Sequence, residues 1–276
     1  MARASQLPTF QRIGLTTRAA VAELGQFARF SARMFLWLFR SGTRWRLLAP
    51  QLYEIGVRSI PVVALTGLFV GMVLAVQIYE QLLGTVAQTR AGRLINMSVV
   101  RELGPVLAGI MLAGRVGGAL AAELGTMKVT EQTDALLSLG ADPIRYLVVP
   151  RFLACLLLIP FLTVYCDAVG VLGGYWMVVG IYGGSAGDYW HYSALSIETW
   201  DIMAGVVKSV FFGGAIALIS CYKGFHCKPG AAGVGRATTE AFVLSFIVIL
   251  VINLFMAILF QAFYRTVWGS PPSTMW

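Results

Sequence analysis

Four ionisable side chains stand in a largely apolar stretch between Ser98 and Arg151. They are Arg101, Glu102, Arg115 and Glu123. If this stretch crosses a membrane, each charge is costly to bury and is expected to face a partner or a water-filled cavity. The stretch is therefore where function should be sought.

The sequence carries no motif for nucleotide binding or for zinc-dependent hydrolysis. It has no Walker phosphate-binding loop and no HExxH. Cys221, His226 and Cys227 supply at most three metal ligands, whereas a closed zinc site normally needs four. We therefore expect no catalytic residue, no bound metal and no cofactor in this chain, and any driving energy must come from elsewhere.

The composition predicts an all-α integral membrane protein. Of the 276 residues, 58% are hydrophobic and only 12% are charged, far from the balance of a soluble domain. Apolar runs near 52–80, 94–122, 146–182, 202–222 and 238–264 each reach the roughly 20 residues that a bilayer requires. Because the backbone must satisfy its own hydrogen bonds in lipid, we expect five transmembrane helices.

The charges predict the orientation of these spans. Many arginines precede the first apolar run, against only Glu23 and Glu54, so the positive-inside rule places the N-terminus in the cytoplasm. The net charge of +8 is not arranged as a basic groove, which argues against nucleic acid as a ligand. Five spans then put the C-terminus on the opposite side.

Three regions are expected along the chain. Residues 1–49 form a cytoplasmic tail and an amphipathic interfacial helix, in which arginines alternate with aromatic residues between Val21 and Leu48. Pro50 is expected to end that helix. Residues 50–268 form the five-helix domain, and 269–276 form a tail on the outer side.

One stripe of the first predicted span could face a ligand. Leu74, Gln77, Ile78, Gln81 and Leu82 share a helix face by their spacing of three and four residues. An apolar stripe with two amides could line a cavity for an amphipathic molecule or could be an ordinary helix interface. Both interpretations remain open, as they do for the GxxxG pair at 67 and 71, which could pack within the chain or against a second copy.

The second predicted span should be weak at Gly104 and Pro105. Pro105 has no N–H and its ring collides with the carbonyl of Arg101, so the helix should kink or break there and act as a hinge. Arg101 and Glu102 lie beside this point. The alternative is that these two reach the membrane surface and that deeper charges form pairs within the chain. Those pairs would join Arg115 and Glu123 to Asp167 or Glu240.

A short polar helix is predicted over about 130–140, between the second and third spans. Thr130 can cap it, Glu131 and Asp134 suit its positive first turn, Leu137 belongs to an apolar edge, and Gly140 can end it. The helix is too short to cross a membrane. It is suited to docking a soluble cytoplasmic partner.

These segments together resemble a known family. The stretches RELGPVLAGIMLAGRVGGALAAELGTMKVTEQTDAL, LGADPIRYLVVPRF, DAVGVLGG and GVGRATTEAFV are similar to the MlaE/YrbE permeases of ABC transporters that work with MCE-domain proteins. The resemblance implies a homodimer of five-span subunits in the bacterial inner membrane, related in fold to ABCG-type exporters. It also implies a cytoplasmic ATPase dimer that binds ATP and Mg, a periplasmic MCE hexamer, often a STAS-domain subunit, and a role in phospholipid transport that maintains outer-membrane asymmetry.

The resemblance also assigns residues to roles. An outward-facing lipid pocket would use Leu74, Gln77, Ile78, Leu82, Arg101, Glu102 and Leu103. The contact with the ATPase would use Thr130, Glu131, Asp134 and Leu137. In this hypothesis Arg101 meets the lipid phosphate, Glu102 orients Arg101 or a neighbouring subunit, and Gly104 with Pro105 is the hinge.

Two other functions compete with this interpretation. An ion-coupled secondary transporter would use Asp167, Glu123 and Lys208 and would work without an ATPase. A membrane scaffold would only anchor an ATPase and would hold no lipid.

Overall fold

The computed structural model describes residues 9–40, 45–84 and 90–268, and the elements in these ranges are helical. Five helical segments are long and apolar enough to cross a membrane, as predicted. The spans run over Trp45–Leu82, Ala91–Val129, Ile144–Ile181, Thr199–Phe225 and Ala231–Thr266. The predicted tail at 269–276 lies outside the described residues.

Several spans are built from more than one helical piece. The first consists of helices Trp45–Ile55 and Ile60–Leu82, and the second of helices Ala91–Ser98, Gly104–Leu112 and Gly118–Val129. π-helical turns at Val99–Leu103 and Ala113–Gly117 join the pieces of the second span. The third span is helix Val149–Tyr175 between π-helical turns Ile144–Val148 and Trp176–Ile181, and the last two are helices Thr199–Phe225 and Ala231–Trp268.

Three helices in the described ranges lie outside the spans. The N-terminal helix covers Thr9–Arg40, a short helix covers Gln132–Ser138, and a third covers Ala186–Ser196. The first two lie at the same end of the bundle, which we call the basic end, where the indole of Trp37 donates over 2.8 Å to Asp142, four residues after the short helix. The opposite end is the aromatic end, where Tyr189 of the third helix meets Tyr175.

Pro50 lies inside the helix Trp45–Ile55 and does not end the preceding helix, so the prediction at that residue was wrong. Pro50 is the sixth residue of this helix, beyond the first turn, so the carbonyl of Arg46 lacks the N–H that would have bonded it, and the helix nevertheless continues to Ile55. The N-terminal helix is amphipathic within the described residues. It buries Phe30 and Met34 against the bundle and leaves Leu36 and Phe39 exposed.

The helix Ala186–Ser196 was not predicted from the sequence. Its start is fixed by Ser185, whose hydroxyl accepts a hydrogen bond from the backbone N–H of Asp188 over 3.3 Å. The following span begins with a reciprocal cap between Glu198 and Asp201. A serine before an acidic first turn was the signal that could have revealed the extra helix.

Glycines bring the first and third spans into backbone contact. A Cβ atom at Gly67 would meet the carbonyl of Cys166, and one at Gly71 would meet the carbonyl of Gly170. The GxxxG pair therefore packs within the chain, which answers the question that its spacing left open.

We expect Gly71→Ala to destabilise the fold. The added methyl would push apart two backbones, and overpacking of this kind costs about 1–3 kcal/mol of unfolding free energy. Gly118→Ala is the matched control, because a Cβ there would meet no atom within 4 Å. Thermal unfolding of both variants in the same detergent tests this, and equal melting temperatures would contradict it.

Candidate functional site

Charged side chains from the second and fourth spans meet in what we call the charged cluster. It consists of Arg101, Glu102, Asp201 and Lys208, with Asn253 of the fifth span. The ammonium of Lys208 lies 2.8 Å from a carboxylate oxygen of Glu102, and Nε of Arg101 lies 3.5 Å from Asp201. The amide of Asn253 donates to the second oxygen of Glu102 over 3.4 Å. The four charges balance within the cluster.

The cluster is open on one side. The side chain of Lys208 is only 2% exposed, whereas those of Arg101 and Glu102 are 38% and 41% exposed. The contact with Asp201 uses Nε of Arg101, and within the described residues its terminal guanidinium nitrogens make no ion pair. Those nitrogens form a fork that suits two oxygens of a phosphate or carboxylate.

One of the two roles predicted for Glu102 was to orient Arg101, but its carboxylate does not pair with that arginine. Its carboxylate is held by Lys208 and Asn253 instead. On a helix, adjacent residues point about 100° apart, so Arg101 and Glu102 reach different neighbours. Lys208 and Asp201 were missed as members of the site, although a lysine in the middle of an apolar span was a visible signal.

The proposed pairs of the deeper charges were also wrong. Arg115 donates to the hydroxyl of Ser59 over 2.6 Å, and Glu123 pairs with the buried Arg151 at 2.9 Å. Arg115 lies in the second π-helical turn, where helix spacing does not predict the face of a side chain. Asp167 belongs to neither pair, and its buried Oδ1 has no hydrogen-bond partner among the described residues.

The helix is disturbed just before Gly104 and Pro105, where a π-helical turn covers Val99–Leu103. The N–H of Gly104 donates to the carbonyl of Val99, five residues earlier. Single π-helical turns inside α-helices are often found at functional sites. A Cβ at Gly104 would fall on the carboxylate of Asp167, so glycine is required for packing here. Its action as a hinge stays a prediction.

The stripe of the first span is partly covered. Leu74, Ile78 and Leu82 pack against a small apolar cluster at the aromatic end, whereas Gln77 is exposed. That cluster includes Ile95 of the second span, which precedes Arg101 by six residues, or about 9 Å along a helix. Leu103 is half-buried on the second span. The stripe and the charged cluster therefore lie on neighbouring spans, at different depths.

The short helix at the basic end begins later than predicted. It covers Gln132–Ser138, and Thr130 does not cap it, because its hydroxyl bonds the carbonyl of Thr126 in the last turn of the second span. Glu131 takes the first position before the helix with a φ of 60°. Gly140, at a φ of 75°, ends the helix as predicted.

This short helix presents both charge and apolar surface. Lys128 contacts both carboxylate oxygens of Asp134, at 2.9 and 3.0 Å. The side chains of Leu137 and Leu139 are 58% and 82% exposed. A cavity of about 920 Å³ separates the helix from the N-terminal helix, which contributes Arg29 to its wall. Exposed leucines beside a charged cavity are typical of a surface that binds another protein.

At the aromatic end, buried hydrogen bonds attach the helix Ala186–Ser196 to the spans. The Tyr189 hydroxyl lies 2.8 Å from Oδ1 of Asn96 and 2.9 Å from the carbonyl of Val171, and the Asn96 amide donates to Ser193 over 2.6 Å. Burial raises the pKa of Tyr189 to about 12, so the phenol keeps its proton at neutral pH and remains a donor.

We therefore expect Tyr189→Phe to weaken the attachment of the helix Ala186–Ser196 to the spans. The amide oxygen of Asn96, which is fully buried, would lose its donor at a cost of about 1–3 kcal/mol. Tyr165→Phe is the control, since Tyr165 is 38% exposed. We expect faster hydrogen exchange in residues 186–196 for Tyr189→Phe alone. Equal exchange in the two variants would contradict the assignment.

Within the described residues, no group of three or more His, Cys, Asp or Glu side chains is placed to hold a metal ion.

Comparison with known proteins places these features in a family. The family model described as "Permease MlaE" matches residues 48–259. A protein of Rickettsia bellii named "Probable ABC transporter permease protein" is 43% identical over 90% of this chain and 96% of its own length. "Intermembrane phospholipid transport system permease protein MlaE" of Haemophilus influenzae is 38% identical over 78% of this chain and 84% of its own. The chloroplastic protein TRIGALACTOSYLDIACYLGLYCEROL 1 of Arabidopsis thaliana is 37% identical over 83% and 66% respectively.

Proposed function

Because this chain belongs to the MlaE permease family, a family of multi-pass membrane components of ABC transporters, we propose that it moves phospholipid. The Haemophilus relative is named for intermembrane phospholipid transport, which supports this cargo. The observation that carries the proposal is the charged cluster, in which a half-exposed guanidinium stands beside apolar spans. A phospholipid offers the same combination of anionic phosphate and apolar chains.

The lipid would bind along the outward half of the first two spans. Arg101 would hold the phosphate through its terminal nitrogens, and the acyl chains would lie along Leu74, Ile78, Leu82 and Leu103, with Gln77 at the rim. Glu102 would stay with Lys208 and would not touch the anionic headgroup, because two negative charges would repel.

Energy would come from a separate ATPase that binds ATP and Mg. The helix Gln132–Ser138 would enter a groove of that subunit, with Glu131, Asp134 and Leu137 near the contact and Thr130 at its base. Movement of this helix would pass through the second span to the weak point at Gly104 and Pro105. In this scheme the chain supplies no catalytic residue.

The proposed assembly is a homodimer in the bacterial inner membrane, with its basic end in the cytoplasm and its aromatic end in the periplasm. The positive-inside rule supports this orientation. The fifth span leaves an apolar face exposed, which includes Leu250, Leu254 and Ile258 and which either lipid or a second copy would cover. The further partners would be an MCE-domain hexamer and, in some systems, a STAS-domain subunit. The pathway would maintain lipid asymmetry of the outer membrane.

Reconstitution with a candidate partner ATPase tests the proposal. We expect the purified complex to contain phospholipid by mass spectrometry and to transfer a fluorescent phospholipid to an MCE acceptor only when ATP is hydrolysed. Transfer driven by an ion gradient without ATP would favour the secondary transporter that Asp167, Glu123 and Lys208 suggested. A complex without lipid and without transfer would favour the scaffold.

A further inference from the structure

Lys208 is the most deeply buried charged side chain in the described part of the second to fifth spans. It is 1% exposed as a whole residue, in the middle of the fourth span. A buried ammonium is unfavourable unless charged and polar partners compensate the loss of water. Its partners therefore indicate what it is for.

One partner is a carbonyl that lacks its usual donor. In an α-helix the carbonyl of Arg101 would accept from the N–H of residue 105, but Pro105 has no N–H. The ammonium of Lys208 donates to this carbonyl over 3.2 Å. The lysine therefore supplies, from another span, a hydrogen bond that the proline removes.

The other partner is the carboxylate of Glu102, at 2.8 Å. An ammonium has three N–H donors, so both contacts form at the same time. One side chain thus holds the main chain of Arg101 and the side chain of Glu102 together. This fixes the π-helical turn on which both residues are carried.

A glycine in the fourth span lets that span approach the π-helical turn closely enough for Lys208 to reach it. Gly205 lies three residues before Lys208, on the same helix face. A Cβ at Gly205 would lie 3.1 Å from the carbonyl of Val100 and 3.2 Å from Cγ of Pro105. The absence of a side chain there lets the fourth span touch the turn directly.

We propose that Lys208 is a positioning residue, whose ammonium replaces the N–H absent from Pro105 and thereby fixes the π-helical turn that presents Arg101 to its ligand. It acts through Arg101 and does not touch the ligand itself. The part that concerns lipid rests on the proposed function, whereas the part that concerns the turn does not.

A double-mutant cycle between Lys208 and Pro105 tests this in the full-length chain, purified with its ATPase in lipid nanodiscs. Lys208→Met removes the donor, and Pro105→Ala restores a backbone N–H to the helix. We expect Lys208→Met to weaken binding of a fluorescent anionic phospholipid about tenfold, as for loss of a hydrogen bond from a charged group. In the Pro105→Ala background the same change should cost less than threefold. Lys208→Arg, which keeps charged donors, should bind more tightly than Lys208→Met.

Two further measurements distinguish the alternatives. If Lys208 serves only as the counter-ion of Glu102, Glu102→Gln and not Pro105→Ala will reduce the cost of Lys208→Met, and the proposal is wrong. Hydrogen exchange of the backbone over residues 99–106 does not depend on the cargo. It should accelerate in Lys208→Met and return towards the parent rate in the double variant with Pro105→Ala.

If exchange follows this pattern while no variant binds phospholipid, the positioning role stands and the proposed cargo fails. Additive effects of the two substitutions, in both exchange and binding, would overturn the positioning role.

Discussion

Arg101→Glu is expected to abolish both the co-purified phospholipid and ATP-dependent lipid transfer. The change removes the half-exposed guanidinium and places a third carboxylate beside Glu102 and Asp201. Loss of a charge-assisted hydrogen bond alone costs about 1.5–3 kcal/mol, or about 10- to 100-fold in affinity, and repulsion of the phosphate adds to it. Mass spectrometry of extracted lipid and a fluorescent transfer assay measure the two effects.

Two further variants test whether misfolding, and not the loss of Arg101, causes the loss of lipid. Arg101→Gln removes the charge without adding repulsion, and we expect an intermediate loss. Arg93→Glu reverses a charge on the same span, outside the charged cluster, and should leave bound lipid unchanged. If Arg101→Glu folds and retains its lipid and its transfer rate, Arg101 has no role in binding the headgroup.

The double change Glu131→Lys and Asp134→Lys should separate the chain from its ATPase. It reverses two charges next to the exposed Leu137 and turns the Lys128–Asp134 ion pair into a repulsion. Charge reversal at an interface produces like-charge contacts that cost several kcal/mol. Co-purification of the ATPase with the tagged permease, followed by ATP hydrolysis, measures the result.

Lys228→Glu is the control for this pair. Lys228 is exposed at the same end of the molecule, outside the helix Gln132–Ser138. It should leave the complex intact, and the double variant should still carry lipid, since its charged cluster is unaltered. An unchanged complex in the double variant would show that the short helix is not the docking element.

The five spans could be predicted from sequence because length and apolar composition suffice for helices in lipid. Proline and glycine also predicted helix ends and helix disturbances correctly where the conformation of that one residue was the cause. Gly140 ended its helix, and Pro105 disturbed its span. Pro50 misled because a proline inside a helix removes one hydrogen bond without always ending the helix, and the helix Trp45–Ile55 continues past it.

The partners of the charges could not be derived in the same way. Glu102 pairs with Lys208, which is 106 residues away along the chain, and Arg115 reaches Ser59, which is 56 residues away. Such pairs depend on which spans are neighbours and on the helix phase. Two π-helical turns in the second span each shift that phase by about one residue, so spacing along the chain does not tell which face a residue beyond them occupies.

The glycine contacts between the first and third spans have a mechanical consequence. Where backbone touches backbone, as at Gly67 and Gly71, one helix cannot slide past the other without a collision of main-chain atoms. We therefore expect these two spans to move as one unit. Any bending should be concentrated in the second span, which is divided by two π-helical turns. We expect a compound that separates the first span from the third to lower the melting temperature of the protein.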